Sequence, residues 1–163
     1  MAYNIIAENE DYTIVSDYQT IYRKSDKYQS EAQLEKELIK TLTEQGYDYL
    51  PIHKEKDLVD NLRVQLQRLN DYIFTDSEWK RFFNDVIANK NEGIEAKTTK
   101  IQEDHIQVLK RDTGETKNIY LIDKRNIHNN YLQVINQYEE EQGNHDARYD
   151  VTILVNGLPL VHI

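Results

Sequence analysis

The stretch RYDVTILVNGLPLVHI, residues 148–163, carries the reading of the fold. Tyr149 to Val155 is an almost wholly apolar run rich in β-branched residues, the pattern of a strand buried on both faces of a sheet. Asn156-Gly157 turns the chain, and Leu158 to Ile163 starts a return strand. One residue stands out: Asp150, an acid at the entry of an otherwise apolar strand, where burial costs free energy unless something compensates it. Arg148 offers a structural compensation, as the partner of a carboxylate at a strand end.

Moving back along the chain, the polar run Glu139 to Ala147 reads as a loop and Tyr131 to Tyr138 as a strand. His105 to Lys110 and Asn118 to Ile122 read as two strands joined by Asp112-Thr113-Gly114-Glu115, a turn-former. Before His105 the period is helical. Ser30 with Gln33 is a capping box, followed by a stripe of Leu34, Leu38, Ile39 and Leu42, with Gly46 at the helix end. Tyr47 to Ile52 is a short strand. A second helix covers Lys56 to Asn70 with Leu58, Leu62, Leu66 and Leu69 on one side. A third starts near Thr75 or Ser77, with Thr75 and Glu78 as its cap, and carries Trp79, Phe82, Phe83, Val86 and Ile87. These stripes are core-packing faces. Residues 11–22 read as one or two short strands. Helices come first and strands later, so the expectation is a mixed α/β domain, N-terminal helices packed on a central mixed sheet. The five glycines and two prolines are scattered, and no linker or repeat appears, so residues 1–163 are expected to form a single domain. Leu158 to Ile163 has no polar tail behind it, and the expectation is a domain continuing beyond this segment.

Composition narrows the function classes. At 163 residues, 39% hydrophobic and 30% charged, with twelve half-polar tyrosines, the chain has the makeup of a soluble globular protein. No apolar run approaches the roughly 20 residues that span a bilayer, and Met1 to Glu10 is no signal peptide. With no cysteine and no export signal, the cytoplasm is the expected compartment. A net charge of −9 argues against a generic nucleic-acid coat, though a nuclease needs only a local acidic site. The phosphate loop of ATP-driven motors is missing, as are GxGxxG, HExxH and GxSxG. His53, His105, His128, His145 and His162 match no zinc spacing.

The combination of Asn129 to Tyr138, then Arg148-Tyr149-Asp150, then Val155-Asn156-Gly157-Leu158-Pro159-Leu160-Val161 resembles the N-terminal endonuclease domain of the R subunit of type I restriction enzymes, within the PD-(D/E)xK nuclease superfamily. Gln107 to Arg111, Leu121 to Asp123 and the first helix also fit, so the resemblance covers about residues 30–163. It implies a restriction-endonuclease-like core, truncated here before the Glu-x-Lys strand is complete. In the family, the hairpin leads into Glu-Leu-Lys, which would fall one and three positions past Ile163. The resemblance makes Asp150 the metal-binding, catalytic aspartate; Tyr149 stands where the Pro of the motif name would be. It also suggests Glu35 as the helix glutamate facing the metal, with Glu31 as a rival. The implied cofactor is Mg²⁺, which takes carboxylate oxygens and offsets developing charge on the scissile phosphate. The implied partners are double-stranded DNA and the methylation and specificity subunits. ATP would be used only by a motor domain absent from these residues. The segment itself is expected to be inactive. The alternatives are a non-catalytic subunit-docking or truncated nuclease-like domain, and a binding protein unrelated to DNA.

Strand parity adds a geometric expectation. A strict two-residue turn at Asn156-Gly157 would pair Asp150 with Ile163 and turn it away from His162 and from the next position. A three-residue loop, or an equivalent bulge, with Gly157 at positive φ would put Asp150 on the face of His162. A shared metal requires the second form.

Overall fold

The computed structural model describes residues 4–8, 13–16, 30–140 and 147–163. The chain divides into two compact units, Met1–Ser30 and Glu31–Ile163. In the first, β1 (Asn4–Glu8) and β2 (Thr13–Ser16) form an antiparallel pair with an irregularity between Ile5 and Ala7. The rest of the 11–22 stretch lies outside the described residues.

The second unit runs α1 (Glu31–Glu44), β3 (Asp48–Tyr49), α2 (Glu55–Asn70), α3 (Asp76–Phe82), α4 (Ile94–Gln102), β4 (Ile106–Lys110), β5 (Thr116–Tyr120), β6 (Leu132–Glu140), β7 (Ala147–Val155) and β8 (Leu158–His162). It is mixed α/β. A four-stranded sheet has the order β3-β6-β7-β8, with β3 parallel to β6 and the other pairs antiparallel. The β4–β5 hairpin is a separate two-stranded sheet.

Alternation along the strands decides what each helix covers. Val134 and Val151 pack on Leu42, with Leu38, Ile39 and Ile153 around them, so α1 covers that face. The other face carries Ile135 and Leu154, packed with Ile52 and with Leu58 of α2. Further along α2, Leu62 and Leu66 join Phe74, Trp79 and Phe82 against Leu109 and Ile119 of the hairpin and Leu158 of β8. One stripe on α2 thus serves the large sheet at one end and the hairpin at the other.

Local chemistry accounts for the ends. Gly46, at φ 95, follows α1. Thr75 caps α3 in a capping box with Glu78. After α3 the backbone widens into a π turn over Phe83–Ile87, where Ala88 N–H reaches back to Phe83 O. Lys100 of α4 donates to Val86 O at 2.6 Å and pairs with Glu92. The sequence reading contains no helix at Ile94–Gln102: α4 has no buried residue and Ile94 is 84% exposed, so there is no apolar period to read.

Candidate functional site

Asn156 and Gly157 both have positive φ, 51° and 80°, the signature of a two-residue type I′ turn, and Val155 pairs with Leu158. The three-residue loop is not formed. Instead Leu154 pairs with Pro159 and Ile153 with Val161, leaving Leu160 as an extra residue. Beyond this bulge Thr152 pairs with His162, and Val151 and Ile163 exchange two backbone hydrogen bonds of 3.2 and 2.9 Å. Thr152 Oγ1 and His162 Nδ1 lie 3.0 Å apart, which confirms their common face. The bulge therefore delivers the parity that the loop was expected to give. Asp150 alternates onto the face of Thr152 and His162. Because Val151–Ile163 is a hydrogen-bonded pair, the Thr152–His162 pair beside it is a narrow one, with Cα atoms about 4.5 Å apart.

Asp150 is exposed, so the burial cost that singled it out in the sequence does not apply. Thr152 and Leu154, next along the same face, are fully buried. Glu35 is half-buried, and its Oε1 accepts from Asn136 Nδ2 at 2.6 Å. Asn136 pairs with Val151 and accepts from the Tyr49 hydroxyl at 2.8 Å, on the face covered by α1. Strand alternation puts Asp150 on the other face. The structure thus does not bring Glu35 and Asp150 together, a correction to the pairing that the family resemblance suggested: Glu35 meets Asn136 on the face covered by α1, away from Asp150's side of the sheet. Glu31, the rival, is exposed in the first turn of α1. Among the described residues no three His, Cys, Asp or Glu groups gather where they could hold a metal ion. Asp150 alone does not make a magnesium site, and His162 adds a nitrogen where hard Mg²⁺ takes oxygen.

A second polar cluster was only half legible in the sequence. Glu78, 2% exposed, accepts from Thr75 N–H at 3.1 Å, from the Tyr72 hydroxyl at 2.8 Å and from Asp112 N–H at 3.0 Å. Burial pushes its carboxyl up, but the Asp112 and Thr75 amides and the Tyr72 hydroxyl together hold it below the ordinary carboxylate range. The Ser77 and Thr75 hydroxyls and the Arg81 guanidinium bring Asp112 down to about 2. Burial and the neighbouring Glu78 raise the Tyr72 hydroxyl. Every acid here has donors fixed by the fold, and the cluster clamps the β4–β5 turn onto the start of α3. The Thr75–Glu78 spacing signals half of it; nothing local points to Asp112.

The family of the type I restriction enzyme R protein N terminus matches residues 28–163. The chain is 45% identical over 159 residues to the type I restriction enzyme EcoprrI endonuclease subunit of Escherichia coli, covering 97% of this chain and 50% of that protein. It is 37% identical over 141 residues to the SsaAORF53P endonuclease subunit of Staphylococcus saprophyticus, and 36% over 143 residues to the SauCOLORF180P endonuclease subunit of Staphylococcus aureus strain COL. Those matches cover 83% of this chain and 14% of each relative, so the chain spans about half the length of the first relative and a small part of the others. Matched over most of its length, the chain belongs to the type I restriction enzyme R protein N terminus family.

Proposed function

We propose that the chain supplies the nuclease segment of a type I restriction R subunit, with Asp150 as one of the carboxylates that hold Mg²⁺ at the scissile phosphate of double-stranded DNA. The observation that carries this reading is the β7–β8 register: it sets Asp150 on the open part of the sheet face that carries His162. A second acid there, with a lysine two positions further on the same face, would complete the site. The residues described here hold one of its parts, so this chain alone neither cleaves DNA nor hydrolyses ATP. Glu35 is left out of the site; its carboxylate orients Asn136 beneath α1.

Methylation and specificity subunits are the partners this reading implies, with sequence choice residing in them and ATP use in a motor outside these residues. No helix among the described residues is long and apolar enough to cross a membrane, and the reading places the assembled enzyme in the cytoplasm. The test is plasmid cleavage by the full-length subunit with its partners. Asp150→Ala abolishes Mg²⁺-dependent cleavage and leaves ATP hydrolysis at the wild-type rate. Undiminished cleavage by Asp150→Ala would remove the aspartate from the site.

A further inference from the structure

The turn between β7 and β8 is fastened to three separate parts of the fold. Asn156, 1% exposed, donates its backbone N–H to Tyr131 O at 2.8 Å and accepts from Tyr131 N–H through Oδ1 at 2.8 Å. Its side chain so completes one more rung of the β6 ladder. Its Nδ2 donates to Leu121 O at 3.1 Å and to Asn130 Oδ1 at 2.8 Å, which ties the turn to the end of the β4–β5 hairpin. Next to it, a Cβ on Gly157 would lie 2.6 Å from Leu62 Cα, so the turn backbone rests directly on α2. Only glycine fits there, at φ 80 and without room for a methyl group.

From this fixed point the register of β8 is counted outward, and Leu160 is one residue more than the pairing needs. Pro159 has no N–H to give the ladder, which suits a bulge beside it. Counting without a bulge would set His162 beside Val151 on the apolar α1 face and Ile163 beside Asp150. Counting with it sets Val161 beside Ile153, His162 beside Thr152 and Ile163 beside Val151, so like meets like. We infer that Asn156 and Gly157 are positioning residues for the nuclease site: by anchoring the turn, they hold β8 in the register that sets His162 on the face of Asp150. This rests on the reading of Asp150 above and adds what sets its geometry.

The anchor makes an unusual demand on changes in chain length. Deleting Leu160 removes the surplus residue and leaves Val161 on Ile153 and His162 on Thr152. Inserting one glycine between Leu160 and Val161 pushes every later residue one place along, bringing Ile163 opposite Asp150 and turning His162 to the other face. The experiment uses the full-length subunit in its complex and reads two things: Mg²⁺-dependent plasmid cleavage, and oxidative cross-linking of the pair Thr152→Cys with His162→Cys as a direct report of register. Deletion of Leu160 keeps the cross-link and cleavage. The insertion loses the cross-link and lowers cleavage by about a hundredfold or more, the scale of a misplaced catalytic group, while ATP hydrolysis stays unchanged. Asn156→Gly keeps the backbone conformation and gives up the side-chain bonds; it raises the Mg²⁺ concentration for half-maximal cleavage, with ATP hydrolysis again constant. An insertion variant that still cross-links and cleaves overturns the anchor, because β8 would then be finding its register without the turn. Asp150→Ala with full cleavage would instead overturn the underlying site while the cross-link went on reporting the register.

Discussion

Replacing Glu78 with alanine tests whether the buried cluster at the start of α3 is a clamp. The side chain is 2% exposed and satisfies three donors, the amides of Thr75 and Asp112 and the hydroxyl of Tyr72. Each buried donor left without an acceptor costs about 1–3 kcal/mol. The two amides sit at a helix start and a turn, where water takes over part of the loss, so the net cost is about 2–4 kcal/mol. With a urea dependence of about 2 kcal/mol per molar for a unit of this size, the unfolding midpoint falls by about 1–2 M. Trp79 is the only tryptophan and is buried in the cluster beside it, so its fluorescence follows the transition. The pH dependence has a definite sign. Glu78 and Asp112 both have folded values held below their ordinary ones of 4.5 and 3.8. Their contribution is whole above about pH 4.5 and is lost as the pH falls through the folded values, near 2 for Asp112. Wild type therefore loses stability on acidification below about pH 4.5, and the alanine variant loses less over the same window. A variant within about 0.5 kcal/mol of wild type, with the same acid slope, would refute the clamp, since changes of that size belong to unconstrained surface positions.

Two other changes probe the packing that supports the site. Lys100→Met leaves Val86 O and Glu92 without their ammonium partner beside the π turn, and costs about 1–3 kcal/mol in urea unfolding. Leu66→Ala opens a cavity at a fully buried position between α2 and the β4–β5 hairpin, and costs about 2–5 kcal/mol by the same measurement.

What the sequence made legible followed hydrophobic period and turn chemistry. The stripes that end in Leu42 and in Leu62 and Leu66 mark the helices because those residues meet the sheet and the hairpin. Asn156-Gly157 marks the hairpin because few other pairs accept two positive φ values. α4 escaped because it buries nothing, and the π turn because one wider turn leaves no compositional trace. Glu35 shows a different limit. The resemblance that suggested Glu35 names a helix; it does not say which side of a sheet that helix will cover, and here α1 covers the side away from Asp150. The expected parity of β8 is met by a bulge in the strand and not by a three-residue loop. Parity depends on a single bulged residue, Leu160, which looks like any other apolar strand residue.

Burial and chemistry part company in this fold. Asp150 drew attention in the sequence as an acid in an apolar strand, yet the acid that is buried is Glu78, where three donors hold the charge in place. Three of the about four lone-pair directions of that carboxylate are taken by donors fixed in the fold. Asp150 lies where the α2-covered face of the large sheet runs out: Leu154 and Thr152 are fully buried, and two residues further the same face is exposed. On the proposed reading of the site, register and exposure rather than burial qualify an acid to hold a metal ion, and of Asp150, Glu35 and Glu78 it is Asp150 that has both.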